Sequence, residues 1–262
     1  VTFTIRPVGE GTPRLTMILW GEAGTGKTSL AVTAPGKKLL VLFDPDGDNS
    51  IRHIPDVLVM DVSKATRNNM PAMHKSDPFD IIKAIDEHNI DTVIIDSISR
   101  VSQLALLYAV STMPSNFKAT DDNPTMAGYG KRNRLVENFM VDILRLTADK
   151  HTNVIFITHE GTPEKSSEGS VLSVGMLLGG QLPNLLAKEI SEVWHIGDQN
   201  GKRRIGIRPE RLRSPMKSRM FDLETQTGFT WQYSPSKNAG HTITSFWEQW
   251  INGKYAKVKV PV

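Results

Sequence analysis

The stretch Leu15–Val32, "LTMILWGEAGTGKTSLAV", decides how this chain is read, because an apolar run breaks into glycines and then resumes at a lysine in helical pattern. The spacing Gly21-x-x-x-x-Gly26-Lys27-Thr28 suits a loop whose backbone N–H groups wrap phosphate oxygens. Gly21, Gly24 and Gly26 permit left-handed conformations and let a ligand approach the backbone. Glu22, Ala23, Thr25 and Ser29 complete the expected phosphate loop. In such a loop Lys27 reaches the β- and γ-phosphates, and the Thr28 hydroxyl holds Mg²⁺. The helix expected over 27–34 points its positive end at the anion.

The composition frames this reading. The chain has 262 residues, 39% hydrophobic and 23% charged, which suits one large domain with a modest appendage. It has no apolar run long enough for a membrane span and no signal-peptide pattern. The absence of cysteine excludes disulfides and thiolate metal sites, and fits a reducing cytoplasm. Net charge is only +3, yet eight Lys/Arg and a single acid, Glu210, lie between Lys202 and Arg219.

Short apolar runs alternate with helical patterns. Strands are expected at 15–20, 38–43, 57–62, 91–96, 153–158 and 192–196, and helices at 27–34, 79–87, 97–111 and 131–150. In the last helix Leu135, Phe139, Ile143 and Leu146 mark one buried face. Continuous apolar strands imply an α/β fold, with a mostly parallel sheet covered by helices on both faces. Beyond Ile196 the pieces read as antiparallel strands added to one edge, including "GFTWQY" (Gly228–Tyr233). A helix near 244–251 and a loosely held tail follow. The expected division is an N-terminal strand or arm over 1–13, a core over 14–235, and a C-terminal helix and tail over 236–262. Two long polar segments, 112–127 and 161–180, fit no regular element and are expected on the ligand-binding, carboxyl side of the sheet.

"DTVIIDSISR" (Asp91–Arg100) supplies the second half of the site. A carboxylate at a strand tip, Asp96, beside the phosphate loop can hold the water shell of Mg²⁺. An apolar strand followed by Asp96-Ser97 resembles the second nucleotide motif of the RecA/RadA recombinase core, shared by DnaB-type ring helicases. The resemblance covers residues 14–220 and looks closest to single-domain phage nucleotide-binding proteins related to RecA. "AGYGKRNRLVENFM" (Ala127–Met140) adds to it.

The resemblance implies a RecA-like ATPase using ATP and Mg²⁺, with several roles. In "LLVLFDPDGD" (Leu39–Asp48), Asp46 takes the place of the carboxylate that polarises the attacking water, with Asp48 a competing candidate. In "NVIFITHE" (Asn153–Glu160), His159 takes the place of the residue that feels the γ-phosphate. In "SPMKSRM" (Ser214–Met220), Lys217 and Arg219 match the cation pair that reaches into a neighbour's active site from a late strand. A homo-oligomer is then expected, either ring or helical filament. Single-stranded DNA is the expected partner, with a single-strand-binding protein as a possible further one.

Both long segments line the DNA axis in RecA-like proteins. Phe117, Lys118, Lys131, Arg132 and Lys165 are the candidates to track phosphates or stack on bases, and Val171, Leu172, Met176, Leu177 and Leu178 are candidate apolar wedges. Asp121, Asp122, Glu164 and Glu168 place opposing charge in the same segments. Three activities stay open: a recombinase or strand-annealing ATPase, a hexameric helicase, and a KaiC-like nucleotide switch without a DNA role. If the protein is phage-encoded, the cytoplasm in question is the host's.

Overall fold

The computed structural model describes residues 13–69, 80–114, 124–210, 212–224, 226–234 and 239–261. In chain order, β1 (Thr16–Gly21) leads through the glycine loop into α1 (Lys27–Ala31). Then come β2 (Lys38–Leu42), β3 (Val57–Asp61), α2 (Ile81–His88), β4 (Thr92–Asp96), α3 (Ile98–Ser111), α4 (Met126–Ala148) and β5 (Asn153–His159). A small hairpin, β6 (Glu164–Lys165) with β7 (Val171–Ser173), precedes α5 (Leu182–Glu189). β8 (Glu192–Gln199), β9 (Lys202–Gly206), β10 (Gly228–Thr230), β11 (Tyr233–Ser234), β12 (Ala239–Gly240) and α6 (Ile243–Asn252) complete the described residues.

The main sheet has the order β10-β9-β8-β1-β5-β4-β2-β3. All pairings from β8 to β3 are parallel, while β9 and β10 add antiparallel strands at one edge. The central strands β1, β5, β4 and β2 are largely apolar on both faces because each face has its own core. Ile18, Trp20, Val41, Ile95 and Phe156 pack against α2, α3, α4 and α5. Met17, Leu19, Leu40, Ile94 and Ile157 pack against Leu30 of α1 and Phe246 and Trp247 of α6. Successive side chains of one strand thus feed opposite layers, as pleating requires.

Several elements depart from the expected bounds. α4 starts at Met126 rather than 131, because the Thr125 hydroxyl caps it by accepting from Gly128 N at 3.3 Å. Gly128 and Gly130 weaken that turn in isolation, and the Thr125 cap and the packing beside Val110 and Met113 offset the loss. The 161–180 segment is partly regular. It holds β6 and β7, and Val174 and Met176 are buried in the core. α5 forms where the sequence pattern predicts no helix; its signals are Pro183 in the first turn and the buried pair Leu182 and Leu186.

The tail is tied down where a loose end was expected. Val258 N donates to Met220 O, and Asp222 N donates to Val258 O, both at 2.9 Å. α6 is anchored as well. Ile243 N donates to Thr33 Oγ1 at 2.9 Å, and the Thr244 hydroxyl donates to Thr33 O at 2.7 Å. No helix among the described residues is long and apolar enough to cross a membrane.

Candidate nucleotide site

The order β1-β5-β4-β2 brings four strand tips side by side, in register. Gly21 pairs with His159, Ile157 with Asp96, and Asp96 with Leu42. Phe43 N donates to Asp96 O, carrying the register just past β2. The glycine loop, Asp96, His159 and the turn after β2 therefore share one edge. Gly21 is required by close approach, since a Cβ there would collide with the Ile196 carbonyl of β8. Gly26 has φ 95°, and a Cβ there would lie 2.8 Å from Arg203 Nη1 and 3.0 Å from Trp231 Cζ3.

A cavity of about 240 Å³ opens at this edge. Ala23, Gly24, Gly26, Lys27, Thr28 and Ser29 line one side, with Ser50, Asp96, His159 and Arg203 around them. Glu22 and Thr25 lie within the same loop, where the Thr25 hydroxyl donates to Glu22 O at 2.9 Å. Lys27 is only 6% exposed and donates to Gly21 O at 2.9 Å and Glu22 O at 2.6 Å. Burial pushes its ammonium down to about 8, against the opposing pull of Asp96 and Glu160. The Thr28 hydroxyl donates to Asp96 Oδ2 at 2.7 Å. Burial pushes the Asp96 carboxyl up, while the Thr28 hydroxyl opposes the rise and the nearby Asp44 adds to it.

Asp44 occupies the inner carboxylate position after β2. It accepts from the Ser97 hydroxyl at 2.7 Å, and His159 Nε2 stands 3.8 Å away. His159 holds this carboxyl below its usual range, burial opposing and Ser97 adding. The expected water-polarising residue, Asp46, is placed elsewhere. Gly47 N reaches back to Asp44 O at 3.4 Å, so Asp44-Pro45-Asp46-Gly47 forms a turn with Pro45 second and Asp46 third. Asp46 takes φ 57° there and is exposed; neither carboxylate lines the cavity itself, and Asp44 is joined to it through His159. Asp48 is also outside the lining; it pairs with Arg52 at 3.4 Å.

His159 is fixed by its neighbours. Its backbone N donates to Ser99 Oγ at 2.9 Å, and Ser99 and Thr158 hydroxyls are 2.8 Å apart. Behind the loop, Glu160 and His195 form a buried pair at 2.7 Å, with Trp20 edge-on to the His195 ring.

Lys217 and Arg219 do not meet this cluster within one chain. Lys217 is an isolated bridge residue opposite Val193, not part of a strand, and its Nζ donates to Ala187 O at 2.6 Å. Val193 pairs with Ile18, three residues before Gly21, so Lys217 sits roughly 10 Å back along the strands. Arg219 is exposed at the amino end of β8, its N donating to Glu192 Oε1 at 2.7 Å.

Of the DNA candidates, Phe117 and Lys118 lie outside the described residues. Lys131 Nζ donates to Thr112 Oγ1 at 2.7 Å. The Arg132 guanidinium lies 5.1 Å from the Tyr129 ring centroid and packs on Gly179, joining α4 to the end of the second long segment. Lys165 is exposed on β6. Val171, Leu172 and Leu177 are exposed, whereas Met176 is core. Arg203, which lines the cavity, was visible only as one of eight cations between 202 and 219.

The donor set fits the ligands the loop implies. Mg²⁺ takes one or two protein oxygens with water and phosphate, and Thr28 and Asp96 offer those oxygens side by side. A glycine loop with a buried lysine, a hydroxyl and a strand-tip carboxylate, on a mostly parallel sheet, defines a P-loop nucleoside triphosphatase. Residues 14–220 match the AAA domain family, and the chain belongs to that family of P-loop ATPases. Among solved structures, a KaiC-like protein from the hyperthermophilic archaeon Pyrococcus horikoshii OT3 aligns at a TM-score of 0.46 and 14% identity, covering 86% of this chain and 89% of that one. None of the curated proteins compared with the chain matches it.

Proposed function

We propose that this ATPase acts on single-stranded DNA as a recombinase or strand-annealing protein of RecA type, hydrolysing ATP at contacts between subunits. One observation carries the reading: the second long segment is bonded to the phosphate-side strand tip. Leu177 N donates to His159 O at 2.7 Å, and Met176 bridges Glu160. A shift of His159 on meeting a γ-phosphate is thereby passed into the segment that ends against Arg132. Lys131, Arg132 and Lys165 supply cations there, and exposed Leu172 and Leu177 supply apolar contacts for bases.

Within the nucleotide site, Lys27 and the loop N–H groups bind the phosphates, and Thr28 and Asp96 hold Mg²⁺. Bound Mg²⁺ offsets the negative charge of the phosphate oxygens. Asp44 and His159 stand where an attacking water can be oriented, and Lys217 and Arg219 are assigned to the neighbouring subunit's site. The test is ATP turnover with and without single-stranded DNA, in the wild type and in Lys131→Glu/Arg132→Glu. DNA is expected to raise wild-type turnover severalfold and the double variant is expected to lose that response and bind DNA with a shallower salt dependence. Turnover indifferent to DNA, with no DNA binding at low salt, would leave a nucleotide switch. ATP-driven strand separation would make the protein a helicase.

A further inference from the structure

We propose that Arg203 is a second cation of the nucleotide site, supplied by the same chain and held over the phosphate loop by Trp231. The proposal rests on the nucleotide-binding reading and adds a phosphate contact from the sheet's antiparallel edge.

The placement follows from strand lengths and register. β1 ends at Gly21, level with Ile196 of β8, but β8 runs on through Gly197, Asp198 and Gln199 before turning at Gly201 into β9. The β8–β9 hairpin therefore overhangs the carboxyl edge by roughly 10 Å. Arg203 pairs with Asp198 in the overhanging part. It shares a face of β9 with Ile205, which is buried in the core layer that contains Leu30 of α1. Continuing that face past the sheet edge puts Arg203 above the start of α1. Arg204, on the opposite face, instead pairs with Glu210 at 2.6 Å.

β10 continues the same construction. Phe229, opposite Ile205, and Trp231 two residues later both belong to the buried layer over α1, and Trp231 lies beside Arg203. Trp231 N donates to Arg203 O at 2.8 Å, and its Nε1 donates to His241 O at 2.9 Å. Its ring stacks on Tyr233 with centroids 5.2 Å apart and planes within 6°. The Arg203 guanidinium sits 5.7 Å from the Trp231 centroid. Among the described residues no carboxylate comes within ion-pair distance of Arg203, and its Nη1 is beside Gly26. A guanidinium presents a planar fork that matches phosphate oxygens, so a nucleotide in this cavity meets Lys27 from below and Arg203 from above. Trp231 is a positioning residue.

Calorimetric titration with ATP, ADP, AMP and inorganic tripolyphosphate tests this on the full chain. Arg203→Ala is expected to weaken ATP and tripolyphosphate by about tenfold or more, and AMP least. Arg203→Lys should recover part of the loss, since the charge remains without the fork. Trp231→Leu should weaken ATP as Arg203→Ala does, Trp231→Phe much less, and the double variant Arg203→Ala/Trp231→Leu no further than either single change. Thermal melts identify any variant that fails to fold; Arg203→Gln, which keeps most of the stem, then replaces Arg203→Ala. Full ATP and tripolyphosphate affinity in the neutral variant, alongside loss in Lys27→Ala, overturns the role of Arg203 alone. Wild-type protein that binds neither ligand overturns the nucleotide reading as well.

Discussion

The Thr28 hydroxyl donates to Asp96 Oδ2 at 2.7 Å, joining the end of the glycine loop to the tip of β4 across 68 residues of sequence. The bond holds two oxygens together at a buried sheet edge, and its acidic partner bears the cost of desolvation.

Replacing Asp96 by Asn should stabilise the unliganded protein while abolishing Mg²⁺-dependent hydrolysis. Burial raises the Asp96 carboxyl above its unfolded value, so the group costs the fold stability as pH rises from the unfolded value through the raised folded one. Asn keeps an acceptor for Thr28 without the charge. A gain of about 1 kcal/mol, or roughly 2–4 °C in melting temperature, is expected without Mg²⁺ and ATP. A lower melting temperature would show that the ionised carboxylate supports the fold.

Lys27 makes ATP binding proton-linked. Its folded value of about 8 is below the ordinary 10.5, so the unliganded fold gains stability between those pH values as the unfolded chain holds the extra proton. Phosphate oxygens favour the ammonium. Binding at pH 8.5 should therefore take up a fraction of a proton, and affinity should fall as pH rises above about 8. Calorimetry in buffers of different ionisation enthalpy reads this directly. Uptake that persists in Lys27→Met would assign the proton to another group.

Asp44 and Asp46 separate by placement. Asp44→Asn is expected to lower turnover by about 10²–10⁴-fold with ATP affinity little changed, because Asp44 stands against His159, which lines the cavity. Asp46→Asn should cost less than about tenfold. The reverse ranking in steady-state kinetics would return water activation to Asp46 and require the turn after β2 to move towards the nucleotide.

If Arg219 serves the next subunit, Arg219→Ala should leave ATP affinity intact and collapse turnover. Mixing it with Lys27→Ala subunits should restore activity, since some interfaces then pair an intact phosphate loop with an intact Arg219. No recovery at any ratio, with co-assembly verified, would confine Arg219 to its own chain.

What could be read in advance was local. The glycine loop, the Asp96 strand tip and the helix bearing Leu135, Phe139 and Ile143 each announce themselves within one element, through spacing or period. Asp44 and Asp46 are set apart by a local feature too. Pro45 and Gly47 turn the chain so that Asp44 faces in and Asp46 faces out, which residue spacing alone does not distinguish.

The sequence by itself determined the phosphate loop, the six parallel strands and the antiparallel character of the late segment, because backbone hydrogen bonding and apolar periodicity are short-range properties. Only the tertiary structure decided which side chains share the site. Arg203 is chemically indistinguishable from seven other cations in its stretch until β9 pairs with an overlong β8 and sets it over Gly26. Val258 and α6 belong to the core for the same kind of reason, through contacts with Met220 and Thr33 far away in sequence. Such contacts depend on strand order and register, which form through long-range packing and leave no periodic mark on the chain.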